Sequence, residues 1–297
     1  MTDFQIPANY FSLLLNKLDS LEKNAELNKQ IDNHSAAMLT TIKDLILNEQ
    51  TLVHQRKHKN PLNFYGQKCF SQSDEDGITL EIVRRLGLQG GVYAEFGVGN
   101  GLENNTLILA ALGWSGFWVG GEQLAFDNWN ARRFHYIRDW ITIENVVSHA
   151  ASGLAAIGAS EIDIASLDLD GNDYHFVGEL LGHGFRPKLF IVEYNAKFPP
   201  PVQFAMRYDA AHCWAGDDYF GASLSSFAAL FSAHGYKLVC CNSHTGANAF
   251  FVRSEYGALF LDIPESIGEI YVSPRYHLYN SYGHRPSVKL IAEIMQR

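Results

Sequence analysis

Apolar positions along this chain change period near residue 60. Before it they recur at helical spacing: Leu14, Leu18, Leu21 and Ala25 step by four, three and four. After a six-residue phase shift, Ile31, Ser35, Met38, Ile42, Leu45, Glu49 and Leu52 keep the same alternation. Such steps line up on one side of an α-helix, so residues 1–60 are expected to form a helical arm, one long helix or a helical pair with two imperfect heptad seams. An arm of this kind either joins copies or partners, or packs on its own chain. The polar, basic stretch from His54 to Asn60, closed by Pro61, is the expected linker.

From Pro61 onward short apolar runs alternate with helix-like stretches, the pattern of a doubly wound α/β domain with a mostly parallel sheet. Strands are expected at 92–96, 117–121, 141–145, 164–169, 189–193, 237–241 and 249–252. Helices are expected at 74–86, 105–112, 128–136, 174–181 and 224–234. Only a loop, 242–248, separates the last two strands, so they should pair antiparallel as a hairpin. The expected fold is therefore α/β, with five parallel strands finished by an antiparallel hairpin in a single domain, 61–297.

Composition agrees with a folded chain. Its 297 residues are 47% hydrophobic and 13% aromatic, enough for one large α/β domain with an appendage. No window approaches 18 consecutive apolar residues, and Met1-Thr-Asp-Phe-Gln-Ile-Pro lacks the basic flank and apolar run of a secretory signal. A soluble, cytoplasmic protein without a transmembrane segment is expected. Cys69, Cys213, Cys240 and Cys241 show no CxxC spacing, and the adjacent pair reads as two small buried residues in a strand.

Charge narrows the partners. Residues 1–60 hold seven acidic and seven basic side chains, so the whole net charge of -9 falls in residues 61–297. Phosphate backbones would be repelled, which argues against nucleic acid as a partner; Arg132, Arg133 and Arg138 leave room for one anionic group.

The strongest local motif is Val92-Tyr-Ala-Glu-Phe-Gly-Val-Gly-Asn-Gly-Leu-Glu-Asn-Asn-Thr106. A strand runs into Glu95, then Gly97, Gly99 and Gly101 at alternate positions, then a helix start with free N–H donors. A dinucleotide fingerprint would place its third glycine at 102, where Leu102 stands. Glu95 would repel a pyrophosphate but can accept from an ammonium group.

These residues resemble the first motif of the class I S-adenosylmethionine-dependent methyltransferases, which Glu95, Gly97, Gly99 and Gly101 match position by position. The resemblance implies a Rossmann-like seven-stranded sheet, S-adenosyl-L-methionine as cofactor, and an acid ending the second strand that holds both ribose hydroxyls. Glu122, 21 positions after Gly101, supplies that acid. Asn100, Asn105 and Gln72 are further candidate cofactor contacts.

Ser166-Leu-Asp-Leu-Asp-Gly-Asn-Asp-Tyr174 lies at the strand edge where open α/β sheets bind ligands. Asp168 and Asp170 alternate, which on a strand puts their Cα atoms about 7 Å apart on one face. They can hold a divalent cation together or raise each other's pKa. Asn172 or Asp173 suits a helix cap. Glu193, Tyr194 and Asn195 end the next strand beside them. Asp168, Asp170, Glu193 and Asn195 look like the oxygen-ligand set of the magnesium-dependent O-methyltransferases, so Mg2+ or Mn2+ is an expected second cofactor.

More narrowly, Phe70-Ser-Gln-Ser-Asp-Glu-Asp-Gly77, Leu167 to Tyr174, Ile191 to Asn195 and Asn248-Ala-Phe-Phe-Val-Arg253 resemble the FkbM-like methyltransferases over roughly residues 64–255. Asp170-Gly171 stands where that family has Glu-Gly, and the arm lies outside the resemblance. The resemblance implies a hydroxyl on a sugar, polysaccharide or polyketide as acceptor. Asp168, Asp170, His244 and Tyr194 are the candidate catalytic residues, His244 as general base. Tyr219, Ser223 and the aromatic stretch Arg275-Tyr-His-Leu-Tyr-Asn-Ser-Tyr282 are candidates for sugar contacts. The expected protein is a methyltransferase of a small-molecule or glycan acceptor that forms a homo-oligomer through its arm. Its rivals are an amine, carboxylate or polyketide acceptor, a non-catalytic assembly module and, last, a nicotinamide-dependent oxidoreductase.

Overall fold

The computed structural model of the chain describes residues 8–126, 132–274 and 287–295. By its contacts the chain divides into two units, Met1–Gln50 and Thr51–Arg297. The expected arm is a single helix, α1 (Ala8–Lys57), of 50 residues. The phase shift in its apolar pattern therefore rotates the seam around the helix without breaking it. The expected linker is not one: the helix continues to Lys57, and Asn60 is wholly buried in the second unit. Its Nδ2 donates to the Val239 carbonyl (2.7 Å) and its Oδ1 accepts from Leu62 N–H (3.0 Å).

In the second unit a 3-10 turn, Pro61–Tyr65, leads to α2 (Glu75–Arg85) and β1 (Val92–Phe96). α3 (Leu107–Ala111), β2 (Ser115–Gly120), β3 (Phe134–Arg138), α4 (Val146–Ile157) and β4 (Ile164–Leu167) follow. Then come α5 (Asp173–Gly182), β5 (Leu189–Glu193), α6 (Leu224–Ala233), β6 (Tyr236–Cys241) and β7 (Asn248–Arg253). Two short helices, α7 (Ile267–Ile270) and α8 (Val288–Ile294), close the described chain. The strands form one seven-stranded sheet in the order β3-β2-β1-β4-β5-β7-β6. The first five are parallel, and β7 runs antiparallel to both neighbours. This is the mostly parallel sheet with an antiparallel C-terminal hairpin that the sequence implies.

Strand order reverses between β1 and β4, so the loops leaving them part and open a crevice at their C-terminal ends. β4 is buried at every position, and β1, β2 and β5 at all but one end residue, as sheet centres covered on both faces require. Cys240 and Cys241 are both buried in β6, and burial pushes the Cys241 thiol up to about 12.

Two expectations fail on the β2 side. Residues 134–136 of the expected helix begin strand β3, while 127–131 lie outside the described residues. The strand expected at 141–145 is instead a turn entering α4, where Asn145 Oδ1 accepts from Thr142 N–H (2.8 Å). Among the described residues no helix is long and apolar enough to cross a membrane.

Candidate functional site

Two neighbouring cavities open in the crevice. The first, of about 510 Å³, is bounded by Gly97 to Gly99 after β1, by Gly120 to Glu122 after β2, and by Trp140 and Ile141 beyond β3. Leu169, Asp170, Asn172 and the loop residues His212, Cys213 and Trp214 close its other side. Gly97 makes the turn possible: its φ is +93°, and a Cβ there would lie 1.8 Å from the Asp168 carbonyl oxygen. Gly99 has another reason to be bare. A Cβ there would point into the cavity wall shared with Glu122 and reach its carboxylate at 3.8 Å, an ordinary contact, so the bare position enlarges the cavity and is not forced by the fold. Glu122 is exposed at the mouth, its backbone fixed by the Tyr136 hydroxyl on its carbonyl.

Glu95 is not free to receive an ammonium group. Its Oε1 accepts from Asn105 N–H (2.9 Å), and its Oε2 from Thr106 N–H (3.0 Å) and Thr106 Oγ1 (2.6 Å). The carboxylate thus satisfies N–H groups at the start of α3, and burial raises its pKa. Asn100 likewise serves the loop, its Oδ1 accepting from Leu102 N–H (3.1 Å) and its carbonyl from Ala125 N–H (2.8 Å).

The second cavity, of about 340 Å³, adjoins the first, and both are lined by Asp170 and Trp214. Oxygens of Asp168, Asp170 and Glu193 gather in it within 4.8 Å of one another. Strand alternation does not bring the two aspartates together, because β4 ends at Leu167 and Asp170 takes a left-handed φ of 54°. Asp173 holds that turn: its carboxylate accepts from Leu169 N–H (2.8 Å) and Gly171 N–H (3.1 Å). Its role is to fold the loop back; neither it nor Asn172 makes a side-chain cap of α5. Burial holds the Asp173 carboxyl up at about 6. Asp168 and Glu193 are pushed well above the usual carboxylate range, first by burial and then by neighbouring acids.

The other expected residues divide. Gln72 and Asn105 line this acidic cavity, not the glycine-lined one, and Asn105 Nδ2 donates to Ser166 Oγ (3.2 Å). Tyr194 contributes its ring, but its hydroxyl donates to the Val272 carbonyl (2.7 Å). Asn195 is turned away: its Nδ2 donates to the Asp218 and Phe220 carbonyls (3.0 Å each), and its Oδ1 accepts from Lys197 N–H. It pins the loop carrying Phe220 and is not part of the acid cluster. His244 lines neither cavity; its backbone N–H donates to Asp74 (3.0 Å), while Thr245 of the same loop reaches the acidic one. Tyr219 and Ser223 are buried supports, bonded to Glu293 and to the first turn of α6. Arg133 and Arg138 donate to the Gly113 and Gly121 carbonyls. The stretch 275–282 lies outside the described residues.

Sequence reasoning passed over Trp214, Phe220 and Asn248 in the acidic cavity and Trp140 and His212 in the other. Irregular loops carry the first two and His212, and neither helical nor alternating periodicity marks a loop. The acids opening α2 were legible only as a helix start. Asp74 accepts from Ser243 and His244 N–H (3.0 Å each), fastening the β6–β7 loop over the site. Asp76 gathers the N–H groups of Cys69, Phe70 and Ser71 at 2.6 to 2.8 Å. Glu75 accepts from Asn242 and Asn248, and burial followed by the Asp74 charge raises its pKa.

No family model and no curated protein matches the chain. Among solved structures, the mitomycin 7-O-methyltransferase MmcR is similar with a TM-score of 0.28 and 13% identity. The likeness covers 55% of this chain and 49% of that one, so the chain spans about half the length of this neighbour.

Proposed function

We propose that this chain is an S-adenosylmethionine-dependent O-methyltransferase acting on a hydroxyl of a carbohydrate or similar polyol. One observation carries the reading: a glycine-walled cavity with a carboxylate at its mouth adjoins an acidic, aromatic cavity, with Asp170 and Trp214 in both walls. Methyl transfer needs such a pair of adjoining subsites, one for the donor and one for the acceptor, meeting at the reacting atoms. Gly99 and Glu122 line the same cavity, whose volume is available to a cofactor, and Glu122 suits a ribose diol. Bound there, S-adenosylmethionine would supply an electrophilic methyl carbon. The chain's own part is to align the acceptor oxygen and take its proton. Asp168 and Glu193 suit that second task in their deprotonated form, because burial and neighbouring acids raise their proton affinity and make each a stronger base than a solvated carboxylate. Trp214 and Phe220, in T-shaped contact with each other, line the same cavity as the carboxylates, a setting for a ring with one apolar face and a rim of hydroxyls.

A second reading, an amine acceptor, is favoured by one feature: the described lining of the acidic cavity holds four carboxylates and no Lys, Arg or His. Thermal shift with S-adenosylhomocysteine tests the cofactor assignment common to both. At a hundredfold excess over Kd the ligand should add about 2.7 kcal/mol of stability. Glu122→Ala and Gly99→Val should lose that gain while melting cooperatively. Equal stabilisation of both variants would remove the glycine-lined cavity from the assignment, and acceptor screening with sugars and amines then separates the two readings.

A further inference from the structure

A second, smaller apolar cluster stands apart from the main core. Phe198, Phe204, Met206 and Tyr219, from the segment that follows β5, pack there with Leu290 of α8. Polar contacts reinforce the join: Ser287 N–H donates to Asp218 Oδ1 (2.7 Å), the Tyr219 hydroxyl donates to Glu293 Oε2 (2.7 Å), and Lys289 Nζ lies 4.2 Å from the Tyr219 ring centre. The same segment supplies His212, Cys213 and Trp214 to the glycine-walled cavity, and Trp214 also lines the acidic one. Its cavity-lining stretch runs between two anchors. At one end Asn172 Nδ2 donates to the Asp209 carbonyl (2.8 Å) and Asp209 N–H to Asn172 Oδ1 (3.3 Å); at the other Asn195 Nδ2 donates to the Asp218 carbonyl (3.0 Å). Residues 211 and 213–216 between them are exposed.

We infer that residues 210–217 are a flap over the two cavities and that α8 is the latch that holds it closed. A wall with few buried contacts opens at a fraction of the cost of global unfolding, and Trp214 is 40% exposed although it lines both cavities. α8 suits a latch because little holds it. Of its apolar residues only Leu290 is buried, while Val288 is 85%, Ile291 53% and Ile294 44% exposed. Glu293 is its other buried residue, and both the Tyr219 hydroxyl and Arg207 Nε (3.9 Å) come to it from the segment that carries the flap. Undocking α8 therefore loosens Asp218 and Tyr219, where the flap rejoins the buried chain. Closed, the flap keeps water from the place where the cavities meet; open, it admits and releases ligands. The flap's function rests on reading the cavities as donor and acceptor subsites, but its latching by α8 is tested first without any ligand.

The test is hydrogen exchange of the full chain, read by mass spectrometry. Peptides covering 210–217 and 287–295 should exchange faster than those in β1, β4 and β5. Leu290→Ala should speed exchange across 210–217 by at least about tenfold, and the milder Glu293→Ala by about fivefold, with the sheet peptides unchanged. Unaltered exchange at 210–217 in variants whose 287–295 peptide exchanges freely overturns the latch. So does equal acceleration of flap and sheet in Glu293→Ala, which would make the segment part of one global unit. S-adenosylhomocysteine then separates the latch from the reading beneath it. The ligand should slow exchange at 210–217 in the wild type. If it does so and neither variant speeds the flap, the methyltransferase reading stands and the latch falls. If both variants speed the flap and S-adenosylhomocysteine protects no peptide, the latch stands and the donor-site reading falls.

Discussion

At the scale of single residues the site is a concentration of unfavourable choices. Asp170 stands in the left-handed region where glycine is the easier residue, and Asp168 and Glu193 are carboxyls that burial disfavours as anions. Such residues lower stability unless something binds them, which gives a test on Glu193. A carboxyl whose folded pKa is raised binds more protons in the native state than in the unfolded one, so stability falls as pH rises above its ordinary value of 4.5. Glu193→Gln lacks that penalty. In chelator-treated samples the variant should melt above the wild type at pH 8, and the gap should close toward pH 4. A gap independent of pH would mean that burial does not raise the Glu193 carboxyl in the folded chain. The same scale shows why two roles could not be read in advance. The motif gives Glu95, but not that the α3 N–H groups fold back onto it. Asn195 follows Glu193 by two and would share its face on a longer strand, yet β5 ends at Glu193 and the chain turns. Asn248 is distant in sequence and becomes the neighbour of Glu193 only through the ladder.

Among elements, the central strands were legible because continuous Val, Ile, Leu and Phe runs suit a sheet covered on both faces, and the hairpin because only a short loop joins its strands. α4 was hidden by its own packing. Its sequence, Val-Val-Ser-His-Ala-Ala-Ser-Gly-Leu-Ala-Ala-Ile, interrupts the apolar stripe with a glycine and small side chains, so it is not among the helices that apolar periodicity predicts. Gly153 is there because the helix lies close on the sheet: a Cβ would sit 2.3 Å from the Phe117 ring. Two effects oppose each other in Gly153→Ala. Helix propensity favours alanine by about 1 kcal/mol, whereas forcing a methyl into a closed contact costs about 1–3 kcal/mol. With the ring buried beneath it and no room to retreat, packing should win. Urea unfolding of the variant should show a lower midpoint at unchanged m; a higher midpoint would show that α4 rides further from β2 than this structure has it. β3 was missed for a different reason. It is an edge strand, and its Phe-His-Tyr-Ile-Arg run has too little apolar contrast to override a helical reading.

For the whole molecule, charge and shape set what can approach. The net charge of -9 resides in residues 61–297, which also hold the acidic cavity, so long-range attraction favours cations and neutral acceptors over anionic ones. The helical arm poses the remaining question. α1 would be about 75 Å long at the usual rise per residue, and Leu18, Leu21, Leu27, Ile31, Met38, Leu39, Ile42, Leu45 and Ile46 along it are exposed. An isolated helix gains little from propensity alone, and most helices are stabilised by packing an apolar face. Burying even a few of these side chains against a second copy would contribute about 1.5–3 kcal/mol each, enough to drive association through the arm. Leu39, Ile42 and Ile46 follow the three-then-four spacing of a coiled-coil seam, so charge placed there opposes self-pairing directly. Sedimentation equilibrium of the full chain should therefore show an oligomer that Leu39→Glu combined with Ile46→Glu reduces to a monomer, with S-adenosylhomocysteine stabilisation retained. A wild type that sediments as a monomer would remove a second copy as the occupant of the arm and assign its apolar face to another partner.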